Sequence, residues 1–367
     1  MEDNIDMLVG TPQQFLRAIR LSQNGFFRDV HIAVSNKNRS FSGERELVKD
    51  IHLGVEGMFK RNMGGFANAQ QTSYKIKTIA DPLGRHARTD ITMMYLSSGK
   101  EKNDLICVCA EIAGILLGRL NNPNDEIEKV KAVDEWVKKT FDYRQTESPR
   151  DHSAVGLLST RGGVCQAIAA LATIILNYMG VAALYISGDG YGSGGWGPHA
   201  WNAVKIGGEW IHVDLTFSMG SLRLPSTRTL AEKKLFMYSH RWDRQNINDI
   251  TLDAEWDSLY RRKSLVCLET DKDRFNIDGI TVISGYPIMK KNQRNLFVDM
   301  GLLVRLLGGG VELDSAKNNL NICLNNRRLV IPGVQRYLWD GLFEFEILKS
   351  VFEMHVIGRK LFLSCGI

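Results

Sequence analysis

The chain has 367 residues, of which 44% are hydrophobic and 24% are charged. This length and composition predict two or three domains with apolar cores. Lysine and arginine number 46 against 41 aspartate and glutamate residues, so the net charge is +5. The basic excess is mild, and its densest run, Arg261 to Lys263, is short and has no interleaved aromatic residues. Nucleic acid is therefore not expected as a partner.

The N-terminal residues, MEDNIDMLVG, lack the basic start and apolar core of a signal peptide. We therefore expect a cytoplasmic protein if Met1 is the natural start, and an exported one if it is not. One apolar stretch, residues 167–186, is nearly long enough to cross a bilayer. It contains Asn177 and Gly180, and its pattern indicates a buried helix followed by a buried strand. No membrane span is expected.

The first 124 residues show the patterns of a mixed α/β domain. Thr11 and Pro12 are placed as the N-cap and first residue of a helix over TPQQFLRAI. The further predicted elements are a strand over FFRDVHIAV, a helix over ELVKDIHLGVEGMF, paired strands over YKIKTI and DITMMYL, and a helix over DLICVCAEIAGILLGRL. Titratable side chains form no catalytic pattern in this segment.

Two helices are predicted beyond the break at residues 121–124. Pro123 is placed to open the first of them. Its single apolar face, which predicts packing, consists of Ile127, Val130, Val133 and Val137. The second helix begins at Cys165 and continues through apolar residues to Gly180, a residue type typical of helix C-terminal ends.

Cys165 therefore lies in a first helical turn, where unpaired backbone N–H groups and the helix dipole favour a thiolate. Taken alone, the residue is more simply interpreted as a small buried hydrophobe. The chain has six cysteines, none of them in a CxxC pair, and eight scattered histidines. No metal site and no cofactor is therefore predicted. Cys107 and Cys109 are expected to lie on a helix and to be buried in the apolar core.

A glycine-rich segment, GDGYGSGGWGP, has six glycines between Gly188 and Gly197. The simpler prediction is a flexible connection between strands. A phosphate-binding loop would need a following helix, whereas a strand pattern follows. An equally open alternative is a lid, in which Tyr191 and Trp196 fold over the thiolate and wall a substrate channel.

A β-hairpin is predicted from His199 to Thr216. Apolar residues alternate with polar ones on both sides of Gly207-Gly208, a pair suited to a two-residue turn with positive φ. In that register Ile206 faces Glu209, so His199 and Asp214 become diagonal neighbours on one face. A carboxylate beside an imidazole fixes its tautomer and favours its charged form. An unrelated surface histidine and strand aspartate would be the simpler interpretation of this pair alone.

Three sequence blocks, GGVCQAIA, HAWNAV and GEWIHVDLTF, occur in the order Cys, His, Asp. Together with the preceding helix, tyrosine and Ser-Ala-x-Gly-Leu segment, they resemble bacterial members of the transglutaminase-like superfamily of papain-related cysteine enzymes. The resemblance covers about residues 125–217 and extends more faintly to Trp242. It implies that Cys165 is the nucleophile, His199 the general base and acid, and Asp214 the residue that orients His199.

The sequence departs from the family pattern at Val155, at Ala167-Ile168 and at Phe217, and these departures leave the shape of the substrate pocket open. The second oxyanion donor also stays open, because Gln166, His152 and Tyr143 are all candidates beside the backbone N–H of Cys165. We expect Trp201 and Asn202 to support the hairpin by packing beside the base.

Beyond Lys263 the pattern changes to short strands and one helix. A helix ending in Leu-Gly before a Val-x-Leu-Asp strand resembles the small N-terminal domain of some copper amine oxidases. That module is not itself the copper centre, and no histidine cluster here would form one. We expect a binding or spacing domain, with a cell-envelope component or a protein as partner. Such modules are often exported, which opposes a cytoplasmic location.

These observations predict an α+β protein with a papain/transglutaminase-like core, an N-terminal α/β domain and a small C-terminal α+β domain. The predicted boundaries are 1–124, 125–263 and 264–367. The predicted function is thiol-dependent hydrolysis or acyl transfer at peptide or amide bonds, more peptidase than cross-linking enzyme. The alternative is an inactive module of the same fold that binds peptide or cell-envelope polymer.

Overall fold

The computed structural model describes residues 4–35, 44–59, 62–83, 85–144, 146–192, 194–218, 236–261, 264–292, 295–324, 326–334, 338–339, 342–344, 352–357 and 360–365. The chain divides into two compact units. The first unit contains residues 1–60, 72–95 and 261–367, and the second contains residues 61–71 and 96–260.

The helices whose bounds the structure gives are α1 (Pro12–Gly25), α2 (Glu44–Phe59), α3 (Phe66–Gln70), α4 (Gly99–Leu117), α5 (Glu126–Thr140), α6 (Ala154–Thr160), α7 (Cys165–Tyr178), α8 (Leu215–Ser218), α9 (Asp249–Trp256) and α10 (Met300–Leu306). A 3-10 helix at Pro149–His152 and a π-helical turn at Asp257–Arg261 accompany them. None of these described helices is long and apolar enough to cross a membrane.

The strands are β1 (Asn4–Val9), β2 (Asp29–Ser35), β3 (Met63–Gly64), β4 (Gln71–Ala80), β5 (His86–Tyr95), β6 (Asp142–Tyr143), β7 (Gly162–Gly163), β8 (Ala183–Gly192), β9 (Gly195–Ile206), β10 (Glu209–Val213), β11 (His240–Arg241), β12 (Ser264–Glu269), β13 (Arg274–Ile277), β14 (Ile280–Ile283), β15 (Met289–Asn292), β16 (Asn295–Val298), β17 (Gly310–Asp314), β18 (Asn319–Leu324), β19 (Arg327–Pro332), β20 (Leu338–Trp339), β21 (Leu342–Glu344), β22 (Glu353–Ile357) and β23 (Lys360–Cys365).

The first unit contains a sheet of nine strands among the described residues, in the order β22-β23-β12-β13-β14-β1-β2-β5-β4. Strand β1 runs parallel to β2 and antiparallel to β14. Its alternate residues Ile5, Met7 and Val9 are buried, and they join the same apolar cluster as Val30 and Val282. Two smaller sheets, β15-β16-β21-β20 and β17-β18-β19, complete the strand pairing described in this unit.

This grouping differs from the predicted division into three consecutive domains. Strand β1, near the N-terminus, pairs with β14, which lies in the predicted C-terminal domain. Residues 96–117 of the predicted N-terminal domain belong instead to the second unit. The physical reason is that alternating hydrophobicity identifies a strand but not its distant pairing partner.

The second unit is built around α7 and one sheet. Every residue of α7 from Ala167 to Asn177 is buried, as expected for a helix that is apolar on all sides. The helix ends in a Schellman motif: Gly180 has φ 76°, and Val181 N–H donates to the Leu176 carbonyl at 2.9 Å. The predicted stop at Gly180 is thus confirmed. The described sheet has the order β10-β9-β8-β11, with β3 also pairing with β8.

The predicted hairpin register is confirmed. Ile206 pairs with Glu209, and Val213 is opposite Asn202, with Gly207 and Gly208 at φ 60° and 86°. The predicted start of the preceding helix is different. Asp125 caps α5 by accepting from Ile127 N–H at 2.8 Å, so Pro123 lies outside that helix.

Gly207→Val tests the hairpin turn, because a β-branched residue is strained at φ 60° whereas asparagine adopts the left-handed region more readily. We expect Gly207→Val to lower the free energy of unfolding by about 1–2 kcal/mol and Gly207→Asn to change it by much less. Urea unfolding of the two variants measures the difference. Equal losses in both would show that the positive φ does not determine the turn.

Candidate active site

Cys165 is the first residue of α7, and its side chain is half-buried. The N-cap residue, Val164, makes no side-chain capping hydrogen bond. The chain reaches this point through β7, which pairs with β6 so that Tyr143 lies opposite Gly163. The positive end of the α7 dipole therefore faces the thiol, and it stabilises negative charge there.

His199 lies between Cys165 and Asp214. Its Nε2 is 2.6 Å from Asp214 Oδ2, and its side chain is 9% exposed. Burial alone would lower the pKa of His199, but hydrogen bonds with Asp214 and Cys165 raise it to about 10. The imidazolium form is therefore favoured at neutral pH.

Asp214 follows β10 directly and has no solvent exposure. Its Oδ1 accepts from the backbone N–H groups of Thr216 and Phe217 at 2.8 and 3.1 Å, at the start of α8. Burial alone would raise the pKa of this carboxyl, but hydrogen bonds from His199 and His240 lower it to about 2. Asp214 therefore stays ionised because its charge is hydrogen-bonded.

His240 is a site residue that the sequence reasoning missed. It is the first residue of β11, its side chain is fully buried, and its Nε2 is 2.8 Å from Asp214 Oδ2. Strand β11 has only two residues, so no alternating pattern marks it. Only its pairing with β8, which places His240 opposite Gly190, brings the imidazole to Asp214.

The described residues of the glycine-rich segment are mostly strand, whereas the sequence predicted a loop between strands. They form the ends of β8 and β9, where Gly192 pairs with Gly195 and Tyr191 with Trp196. The rings of Tyr191 and Trp196 are 5.4 Å apart, and the guanidinium of Arg241 lies 3.7 Å from the Trp196 ring centre. Strand pairing and ring contacts hold this segment.

Two of these glycines are required by close packing. A Cβ atom on Gly190 would lie 2.8 Å from Cγ of His199. One on Gly188 would lie 2.2 Å from the carbonyl oxygen of Arg241 and 2.8 Å from the Trp201 ring. All three distances are shorter than a Cβ atom can tolerate, so these glycines leave room for His199, for Trp201 and for β11.

Among the candidates for the second oxyanion donor, Gln166 and His152 bond to other groups. Gln166 Oε1 is 3.1 Å from His152 Nδ1, and Gln166 Nε2 donates to the Ala69 carbonyl at 2.6 Å. Tyr143 instead interacts with Cys165, as the pKa of its hydroxyl shows. Burial, and then the charge and hydrogen bond of Cys165, raise the pKa of Tyr143. Of the three candidates, Tyr143 is therefore the one with an interaction with Cys165.

Trp201 and Asn202 are buried beside the base. Trp201 Nε1 donates to His212 Nδ1 at 2.9 Å, within an aromatic cluster that includes Phe236, His240 and Trp242. Asn202 Nδ2 donates to the Ala169 carbonyl and to Thr173 Oγ1, both at 2.9 Å, and so ties β9 to α7. Through these contacts Trp201 and Asn202 pack beside the His199 ring and support the hairpin.

His199, Asp214 and His240 are also the group of described residues whose donor atoms, all within 4.8 Å of one another, could hold a metal ion. Because a carboxylate oxygen only accepts, each imidazole Nε2 must carry a proton toward Asp214 Oδ2. These protons occupy the directions from which the nitrogens would bind a metal. The geometry is satisfied by hydrogen bonds alone.

Residues 116–215 match the family model of the transglutaminase-like superfamily. This segment is similar to the core domain of that superfamily. The matched segment includes Cys165, His199 and Asp214, and the fold is α+β with a transglutaminase-like core. His240 lies outside the matched segment. No comparison supports the resemblance of residues 264–367 to the copper amine oxidase domain, and no curated protein matches the sequence.

Three solved structures are similar to part of the chain. A candidate cysteine protease from Cytophaga hutchinsonii is 17% identical, covering 40% of this chain and 66% of its own, with a TM-score of 0.26. A TGase is 15% identical, covering 51% of each chain, with a TM-score of 0.27. The periplasmic domain of TgpA from Pseudomonas aeruginosa, bound to ethylmercury, is 17% identical, covering 37% of this chain and 58% of its own, with a TM-score of 0.24. The chain spans 51% to 66% of the length of these proteins.

Gly190→Ala tests whether the transglutaminase-like domain needs the space beside His199. The added methyl would displace the imidazole, so we expect iodoacetamide to alkylate Cys165 at least about tenfold more slowly. Gly192→Ala is the control, because nothing lies within 4 Å of a Cβ at that position. Mass spectrometry of the modified peptide gives the rates. Equal rates in the two variants would contradict the packing argument.

Asp214→Asn tests the charge that supports the imidazolium. The raised pKa of His199 stabilises the fold fully below pH 6.5, and this contribution is lost as the pH rises through about 10. Without the carboxylate the pKa of His199 should fall, so the imidazolium is lost at lower pH. An NMR titration of the His199 ring measures the shift. Asp189→Asn, which removes an exposed carboxylate, is the control; an unchanged His199 titration in Asp214→Asn would contradict the argument.

Proposed function

We propose that the protein is a thiol-dependent acyl-transfer enzyme that hydrolyses peptide or amide bonds. The observation that carries this proposal is the buried His199–Asp214 hydrogen bond, together with the interaction of His199 with Cys165 at the start of a buried helix. A nucleophile, a base within reach of it, and a third group that orients the base are the parts that covalent acyl transfer needs.

The tautomer of His199 follows from its partners. Asp214 Oδ2 can only accept, so Nε2 of His199 keeps its proton and Nδ1 is the nitrogen that exchanges a proton with Cys165. Asp214 is held by its own backbone hydrogen bonds, and it therefore orients the ring without taking the proton itself.

Two half-reactions complete the chemistry. The Cys165 thiolate adds to the substrate carbonyl carbon, and His199 Nδ1–H then protonates the leaving amine as its C–N bond breaks, which leaves a thioester. Neutral His199 next takes a proton from water while the water oxygen attacks the thioester. Breaking of the C–S bond releases the acid and restores the thiolate and the imidazolium.

The oxyanion that forms in each half-reaction needs donors beside Cys165. The backbone N–H of Cys165 is one, and the Tyr143 hydroxyl, which interacts with Cys165, is the second. A bound substrate carbonyl accepts from that N–H and from the Tyr143 hydroxyl.

Hydrolysis is favoured over transamidation by the exposure of the site. A transglutaminase must keep water from the thioester until an amine arrives. Tyr143, which contacts Cys165, is 49% exposed, so water reaches the region next to the sulfur. The glycine-rich segment, which would have been the wall of a closed channel, is strand rather than lid among its described residues.

A glutamine-bearing peptide incubated with a labelled primary amine tests the activity. We expect peptide hydrolysis or release of ammonia, with little amine incorporated, and no turnover in Cys165→Ala. Cys267→Ala is the matched control, because this half-buried cysteine lies in β12, in the other unit. Mass spectrometry and an ammonia assay follow the products.

Steady, Cys165-dependent incorporation of the amine with little free acid would show that an amine is the acyl acceptor. The absence of Cys165-dependent turnover, together with alkylation of Cys165 no faster than that of a free thiol, would favour the inactive peptide-binding module.

A further inference from the structure

The carboxylate of Asp214 is hydrogen-bonded to two imidazoles rather than to one. Its Oδ2 lies 2.6 Å from His199 Nε2 and 2.8 Å from His240 Nε2, and the two rings are 5.5 Å apart. The two histidines come from different strands, β9 and β11, which are separated in the sheet by β8. The two histidines that bond to this carboxylate are therefore on the two strands that flank β8.

The space between the two imidazoles exists because the intervening residue is glycine. His240 is opposite Gly190 on β8, and a Cβ on Gly190 would meet the His199 ring. Without a side chain at this position, the His240 ring reaches Asp214 from β11, past β8, while the His199 ring keeps its place on β9. The sequence feature interpreted as flexibility thus permits a second imidazole at the same carboxylate.

His240 is itself held at three points. Its Nε2 carries a proton, because the carboxylate oxygen that it faces can only accept. Its Nδ1 lies 2.9 Å from Ser239 Oγ and 3.2 Å from the Phe236 carbonyl. Its ring stacks on Phe236 with centroids 3.8 Å apart and planes at 12°. The Nε2–H group of His240 is therefore held in one position.

We propose that His240 is a positioning residue of the active site, which holds Asp214 Oδ2 where His199 needs it. This inference rests on the proposed function, because His240 acts only through Asp214 and His199. With His240 in place, Asp214 cannot turn Oδ2 away from His199 without breaking a second buried hydrogen bond. The orientation of His199 toward Cys165 is thereby kept during both half-reactions.

A set of variants at position 240 separates positioning from packing. His240→Leu removes the donor and keeps an apolar side chain. His240→Gln places an amide N–H at about the reach of imidazole Nε2, whereas the shorter His240→Asn does not reach Asp214. His212→Leu is the matched control, because it removes a buried histidine of the same aromatic cluster that bonds to Trp201 instead of Asp214.

For the Leu and Asn variants we expect kcat to fall about tenfold or more, as for a lost hydrogen bond to a charged group, with KM little changed because His240 is buried away from substrate. His240→Gln should restore kcat to within a few-fold of the natural protein. His212→Leu should lower the melting temperature but leave kcat near its starting value. Alkylation of Cys165 by iodoacetamide, measured in each variant, should follow kcat.

If His240→Gln loses as much kcat as His240→Asn, or if His212→Leu loses as much as both, His240 has only a packing role and the proposal is overturned. The Gln and Asn pair decides the question even where His240→Leu does not fold. If Cys165 is alkylated rapidly in the natural protein and equally rapidly in every position-240 variant, the positioning role of His240 is contradicted but the proposed function is not. If the natural protein shows neither turnover nor enhanced alkylation of Cys165, the proposed function itself is contradicted.

Discussion

The buried carboxylate of Asp214 is the constraint on which the rest of the site depends. A charge with no solvent exposure is costly unless hydrogen bonds replace its water, and here four donors do so. Two are backbone N–H groups at the start of α8, and two are the imidazoles of His199 and His240. The site therefore forms only when β9, β11 and the end of β10 have come together, which makes the geometry of the reacting groups a product of the fold.

The space around this carboxylate is as important as the hydrogen bonds. Gly188 and Gly190 leave the sheet without side chains at the positions where the His199 ring, the Trp201 ring and the backbone of β11 approach. Glycine in a strand weakens it in isolation, since it packs nothing and costs conformational entropy. Glycine is nevertheless required at these two positions, because larger residues would separate the groups that bond to Asp214.

The nucleophile is positioned by a different principle. Helix α7 is buried along its length, so its apolar packing determines where its first residue lies. Asn202 joins this helix to β9 through hydrogen bonds to Ala169 and Thr173, three strand positions after His199. Cys165 and His199 are thus carried by two elements that are bonded directly to each other. Tyr143 enters from β6, whose short pairing with β7 leads into the same helix.

Short segments of the sequence predict the local geometry: the start of α7 at Cys165, the glycine that stops it at position 180, and the hairpin register that puts His199 and Asp214 on one face. These features follow from turn chemistry and hydrophobic period within short windows of chain, where the backbone leaves few alternatives. Three other features appear only in the folded chain: His240 bonds to Asp214, Gly190 leaves space for the His199 ring, and β1 and β14 share a sheet. Each of these depends on which distant segments meet, and that choice is made by burial of whole strand faces and closure of long loops, which no local pattern encodes.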